Sequence, residues 1–316
     1  MIAAARHLLV SFVVFLVAAA AQAQTPDKLR IAIGQGGTFE GSFCELGQNA
    51  GIFRKHGIDL DVIYTSGSGE TLQAVIGGSI DIGSGLGTHA VLGAFSKGAP
   101  VRIVAGVMTG ANDLFWYVRS DSPLKSMRDA NGKAVGYSTN GSSTNMIVLA
   151  FQKNFDVKFN LVAAGSAPAN LTQVMSGQID VGWSAPNFGI PQGDKIRIIA
   201  RGSDVPDFRE QTVRVMAVNA GALEKRPDVF RRFMLAYREA INWEYGDDPA
   251  AMQAYAKFAG LSVEDARKVR EFYPRTNTNP DRIVGLDSIM AEAINMKILA
   301  SPLTADQLRS LIQMQP

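Results

Sequence analysis

Between Lys28 and Ile199 the apolar residues alternate between two patterns. Short, β-branched runs predict strands at Leu29–Ile33, Ile58–Tyr64, Ser79–Gly83, Val101–Val107 and Ala134–Ser138. Between them, Glu70–Ile76, His89–Phe95 and Met146–Gln152 carry helical spacing, with Leu72, Val75 and Ile76 on one face of the first. Strands separated by helices need crossover connections, so the pattern predicts an α/β fold with a largely parallel sheet. Ligands of such sheets bind outside the carboxyl ends of the strands. Here those ends are rich in small residues: Gly34-Gln35-Gly36-Gly37, Ser66-Gly67-Ser68-Gly69 and Ser84-Gly85-Leu86-Gly87-Thr88.

The pattern repeats. Leu72–Gly83 reads LQAVIGGSIDIG and Leu171–Gly182 reads LTQVMSGQIDVG, with six of twelve positions identical at an offset of 99. Each copy predicts a helix, a glycine in the left-handed conformation at its end, and a strand flanking an aspartate. Two lobes of similar α/β construction follow from the echo. Phe115–Arg119 and Val213–Val218 bracket the second unit and are the expected crossover segments between lobes. From Pro227 onward the chain is predicted mostly helical: Asp228–Tyr245, Pro249–Ala259, Val263–Phe272, Leu286–Leu299 and Thr304–Ile312, the last with Thr304 as N-cap before Gln307.

The first residues change the picture from a fold to an exported fold. Arg6 and His7 precede an apolar run of about 14 residues, Leu8–Ala21, which ends at the small-x-small site Ala21-Gln22-Ala23. That order is a cleavable secretory signal over residues 1–23, and the run is shorter than the roughly 20 residues a bilayer-spanning helix needs. Charge adds little: 31 basic residues face 29 acidic ones, without a Lys or Arg track, so nucleic acid is not an expected partner. Cys44 is the only cysteine, which excludes an internal disulfide and the usual thiolate zinc sites. The motifs imply no metal and no cofactor.

Candidate chemistry concentrates at the glycine-rich turns. Gly141-Ser142-Ser143-Thr144-Asn145 precedes an apolar helix, where free N–H groups and small hydroxyls suit an anionic or polar ligand head, or plain capping. Gly85-Leu86-Gly87-Thr88-His89-Ala90 has the outline of a dinucleotide fingerprint but lacks the acidic residue expected some 20 positions on. It fits better as another loop opening a helix toward a ligand. Glu40, beside Phe39, would face either solvent or a cationic ligand group. Asp81 and Asp180, the aspartates of the echo, are expected to close turns or cap helices. Trp183, one residue past the second echo, offers a flat apolar wall. His56 and His89 are the histidines beyond the signal, and G-x-S-x-G, P-loop and His-Glu-x-x-His motifs are absent.

Taken together, Gly78-Ser79-Ile80-Asp81-Ile82-Gly83, Lys97-Gly98-Ala99-Pro100-Val101, Asp121-Ser122-Pro123 with Gly132-Lys133, Gly141-Ser142-Ser143 and Gly177-Gln178-Ile179-Asp180-Val181 resemble a known family. It is the SsuA/THI5-like (NMT1-like) group of periplasmic substrate-binding proteins, the nitrate/sulfonate/taurine type that feeds ABC importers. The resemblance implies a type II periplasmic-binding-protein fold, lobe one spanning 24–116 and 218–316, lobe two 117–217, with a hinge of two crossover segments and a helical C-terminal region. It implies no catalysis, a monomer in the periplasm, a small organic or inorganic anion as ligand, and a membrane permease as partner. The anionic head carries over to Ser142, Ser143 and Thr144, and the early strand-end loops carry over to Gly36, Thr38, Gly85 and Thr88; Gly141 and Ser66, in the same small-residue turns, are further ligand-binding candidates. The family often has an acidic or aromatic residue after its second Gly-x-Ile-Asp strand, where this chain reads Trp183-Ser184-Ala185-Pro186-Asn187. Trp183 and Asn187 are the candidates there. THI5-like relatives include a pyrimidine synthase, which uses a reactive histidine and a cysteine-rich motif; the export signal and lone Cys44 argue against that chemistry. A solute sensor docking on a membrane receptor fits the same sequence.

Overall fold

The computed structural model describes residues 25–315; the export signal expected over 1–23 lies outside them. β1 (Asp27–Ile33) is followed by α1 (Phe39–Asn49), α2 (Ile52–Lys55), β2 (Ile58–Tyr64), α3 (Ser68–Ile76), β3 (Ile82–Gly87), α4 (Thr88–Ser96) and β4 (Val101–Thr109). The chain crosses through 110–114 to β5 (Phe115–Arg119), β6 (Ala134–Tyr137), α5 (Ser143–Phe155), β7 (Asn160–Ala163), α6 (Ala167–Met175), β8 (Gly182–Ser184), α7 (Pro186–Gly189) and β9 (Ile196–Arg201). It returns through 202–211 to β10 (Thr212–Asn219). The rest is helical: α8 (Ala220–Lys225), α9 (Pro227–Tyr245), α10 (Pro249–Ala259), α11 (Val263–Arg270), α12 (Leu286–Asn295) and α13 (Ala305–Leu311).

The two halves share one plan. The first sheet has the order β2-β1-β3-β10-β4, with β1 parallel to β2 and β3, and β10 antiparallel to β3 and β4. In the second half β6 runs parallel to β7, and β5 runs antiparallel between β8 and β9. A parallel bridge from Val135 to Val181 joins these two pieces, so the order is β7-β6-β8-β5-β9. Each sheet therefore takes its one antiparallel strand from the chain that has just crossed over.

The echo is structural. Gly78 and Gly177 adopt φ values of 72° and 77° after α3 and α6. Asp81 and Asp180 do not cap helices: each accepts a backbone hydrogen bond from a parallel strand of its own sheet, from Arg30 of β1 and Ala134 of β6, and returns one to the same residue's carbonyl. The aspartate thus locks the incoming strand to β1 or β6.

Two boundaries differ from expectation. β3 begins at Ile82 and runs on through the glycines to Gly87, because β10 pairs with that stretch at Leu86–Val215 and Gly87–Arg214. The lobe boundary expected at 217 falls before 212 instead, because all of β10 hydrogen-bonds within the first sheet; β5, from Phe115, already belongs to the second. The crossings are the segments 110–114 and 202–211, just before the strands that the sequence pattern predicts as crossovers.

The C-terminal helices complete lobe one. α9 buries Val229, Phe230, Phe233, Met234, Tyr237, Ala240 and Ile241, an i, i+4, i+7 stripe laid against α1 and α2. Phe39 and Phe43 of α1 enter the same aromatic cluster, with Tyr237, Tyr245 and Tyr255. Thr304 caps α13 in a box with Gln307. The lobes meet directly. Gly69 N–H donates to Thr139 Oγ1 at 3.0 Å and Ala167 N–H to Gln35 Oε1 at 3.3 Å. Gly87 lies so close to the Gly141 carbonyl that a Cβ would collide with it.

Candidate functional site

A cavity with about 50 Å³ open to water-sized spheres lies where the lobes meet, at the carboxyl ends of the parallel strands. From the first lobe, Gln35 and Thr38 follow β1, Glu40 lies in the first turn of α1, Ser68 opens α3, and Ser84 and Gly85 belong to β3. From the second, Ser138 follows β6, Ser142, Ser143 and Thr144 open α5, and Trp183 lies in β8. Asp113 comes from the first crossing and Arg214 from β10. Ser84 and Trp183 occupy equivalent positions of the echo, and both line the cavity.

The start of α5 is organised by its hydroxyls. Ser142 is the N-cap, accepting from Asn145 N–H at 3.1 Å. Thr144 Oγ1 accepts from Ser138 N–H and lies 2.9 Å from both Ser138 Oγ and Ser142 Oγ. Ser143 Oγ takes no part in this network. The N–H groups of Ser143 and Thr144, in the first turn, have no carbonyl behind them to bond. The helix start therefore presents two N–H groups and one hydroxyl, together with the positive end of the helix dipole.

The other wall is ionic. Arg214 Nη2 meets Asp113 Oδ2 at 2.6 Å and Glu40 Oε1 at 3.6 Å. Burial opposes the Arg214 charge, but Asp113 and Glu40 outweigh it and hold the guanidinium protonated. Burial pushes the Glu40 carboxyl up from its ordinary 4.5; Arg214 pulls the other way and Asp113 adds to the rise. Glu40 Oε2, Asp113 Oδ1 and Arg214 Nε are buried without a hydrogen-bond partner in the protein. Ser68 Oγ is likewise unpartnered.

Of the residues singled out from sequence, Thr38, Glu40, Gly85, Ser142, Ser143, Thr144 and Trp183 come together on this cavity. The other five lie outside its lining. Gly36 packs beside the Tyr64 ring, and Ser66 N–H donates to Glu70. Thr88 donates to the Thr212 carbonyl at 2.6 Å, tying α4 to β10 behind the cavity. Gly141 supplies the left-handed turn before α5, φ 78°, and touches Gly87 across the lobes. Asn187 is buried beside Gly37, also across the lobes, with its amide unpartnered. His56 pairs with Glu239 and His89 with Glu292, both away from the cavity. Asp113 and Arg214 were missed. Arg214 left one signal: a cation inside an apolar strand is costly unless a buried partner meets it.

Two α/β lobes, each sheet completed by a crossing strand, around a cavity between them: this is the two-lobed fold of the periplasmic binding proteins. The alkanesulfonate-binding protein SsuA from Xanthomonas axonopodis pv. citri, solved bound to MOPS, superposes with a TM-score of 0.76 at 17% identity, covering 92% of this chain and 99% of that one. The periplasmic nitrate-binding protein NrtA from Synechocystis PCC 6803 superposes with a TM-score of 0.69 at 13% identity, covering 91% and 86%. The sequence profile described as NMT1/THI5 like matches residues 43–251, and the chain belongs to that family. A curated relative is the 4-amino-5-hydroxymethyl-2-methylpyrimidine phosphate synthase THI5 of Saccharomyces cerevisiae, 21% identical over 231 residues. The match spans 67% of this chain and 66% of that protein's length.

Proposed function

We propose that this chain is the exported solute-binding component of an ABC importer, which captures a small solute with an oxygen-rich, acidic head between its lobes and presents it to a permease. The observation that carries the reading is the cavity itself. The open N–H groups of Ser143 and Thr144 from one lobe meet Glu40 and Arg214 from the other in a single small enclosure. A solute there touches both lobes at once, so its extra contacts favour the form in which they meet. The crossings at 110–114 and 202–211 are the hinge in this scheme, and the lobe-bridging bonds of Gly69 and Gln35 are made on closure. The sequence of residues 1–23, with its short apolar run and small-x-small site, supports export to the periplasm. The lining combines carboxylates, hydroxyls, a guanidinium, an amide and an indole with apolar side chains such as Ile33, Val107 and Leu114, while His56, His89 and Cys44 lie elsewhere, which supports binding over catalysis.

A thermal-shift screen of residues 24–316 against small sulfonates, carboxylates, nitrate and their amino analogues tests the reading. A ligand at about 100 times its Kd adds about 2.7 kcal/mol to stability, a readily measured rise in the midpoint. A panel in which no solute moves the midpoint would count against capture of this class of ligand.

A further inference from the structure

We infer that the acidic solute is captured together with one proton, which lodges on the Glu40 carboxylate and turns it from a repelling charge into a hydrogen-bond donor. This rests on the solute-binding reading and adds a proton to what the cavity takes up. Glu40, Asp113 and Arg214 are 8%, 1% and 6% exposed, and all three line the cavity. They bring two carboxylates to one guanidinium. Arg214 Nη2 is committed to Asp113 Oδ2 at 2.6 Å and meets Glu40 Oε1 only at 3.6 Å. An ionised Glu40 therefore leaves the enclosure with a surplus negative charge. Its other oxygen, Oε2, is buried without a partner in the protein.

An acidic head at the start of α5 brings a further negative charge into a cavity of about 50 Å³. Like charges held this close, away from water, repel strongly. One proton from solvent removes the conflict. A new O–H bond on Oε2 neutralises Glu40 and gives the unpartnered oxygen a donor to offer the solute. The 2.6 Å contact ties Arg214 to Asp113, so the proton falls to Glu40. The other neighbours bring no compensating charge. Tyr237 and Tyr245 of α9, Tyr255 of α10 and Tyr273 beyond α11 surround Glu40, and Glu244 of α9 lies near the first three. Burial raises all four phenols, so they stay neutral, and raises the Glu244 carboxyl as well. Burial also pushes the Glu40 carboxyl up, against the pull of Arg214, which favours the same proton.

Isothermal titration calorimetry on residues 24–316 with nitrate and with propanesulfonate tests this, since both anions stay fully ionised from about pH 5 to 9. Each titration, repeated in two buffers of different ionisation enthalpy, counts the protons bound with the anion. Where Glu40 is ionised in the free protein, uptake is expected to approach one proton and affinity to fall about ten-fold per unit rise in pH. At lower pH the proton is already in place and both effects vanish. Glu40→Gln is neutral and a donor at every pH, and is expected to take up no proton and to show a flat profile. A cooperative thermal transition shows that the variant folds, and the wild-type proton count stands without it. An anion that binds with no proton uptake and constant affinity across the range, or more tightly as pH rises, overturns the inference and leaves the solute-binding reading standing. Uptake that persists in Glu40→Gln overturns the assignment to Glu40. Binding by neither anion at any pH overturns proton-coupled capture, and the broader thermal-shift screen then judges the solute-binding reading separately.

Discussion

Arg214 shows where residue-scale inference from sequence stops. In Thr212-Val213-Arg214-Val215-Met216 it interrupts an apolar strand, but its partner Asp113 lies 101 residues away, beyond the reach of any local pattern. The helix start at Gly141–Asn145 was legible because its chemistry is local. The structure also divides its hydroxyls by role. Ser142→Ala is expected to cost about 1 kcal/mol of stability, the usual worth of an N-cap, seen as a lower urea midpoint. Ser143→Ala is expected to leave stability within about 0.5 kcal/mol and to weaken solute binding, read by calorimetry. A third residue titrates. Ser42 Oγ lies 2.7 Å from the Phe39 carbonyl and 2.8 Å from Glu244 Oε2, and its one proton satisfies only one of them. A protonated Glu244 donating to Ser42 satisfies both. Burial holds the Glu244 carboxyl well above its ordinary 4.5, although the Ser42 bond acts in the opposite direction. A raised carboxyl stabilises the fold fully below its unfolded pKa, and that contribution is lost as pH rises through the folded value. Glu244→Gln keeps a donor to Ser42 without the titration. Its thermal midpoint is expected to gain on the wild type as pH rises from about 5 to 8; a constant difference would show that Glu244 does not titrate in that range.

At the scale of elements, periodicity located most strands and helices, and the 99-residue echo located two of the equivalent helix–strand pairs. It worked because each copy needs the same parts: a left-handed glycine after the helix and an aspartate that locks the strand. It failed at Ser84–Gly87, where glycines suggested a loop. That stretch is a strand because β10 pairs with it, and β10 arrives from far along the chain. Gly87 has φ −59°, which any residue adopts, so backbone freedom is not why it is glycine. Its neighbour across the lobes is: a Cβ would strike the Gly141 carbonyl. Gly87→Ala is therefore expected to spare lobe one and to oppose the meeting of α4 and α5. If the closed population falls to about a tenth, apparent affinity falls about ten-fold. Equal affinity in the variant would show that this contact is not made in the bound form.

For the whole molecule, two lobes and a helical C-terminal region were legible from alternation, echo and family resemblance. The assignment of β10 to the first sheet was not, because an apolar strand does not state which sheet it joins. That detail bears on the mechanism. Each lobe contributes a strand to its sheet immediately after a crossing, so in the proposed scheme the segments 110–114 and 202–211 are the links about which the lobes would turn. Motion about them is the simplest way for the cavity to open. Small-angle scattering on residues 24–316, with and without a saturating solute identified by thermal shift, tests this most directly. A smaller radius of gyration with solute, reached in Gly87→Ala only at about ten-fold more solute, is the predicted result; an unchanged radius in the saturated wild type would contradict capture by closure of the two lobes.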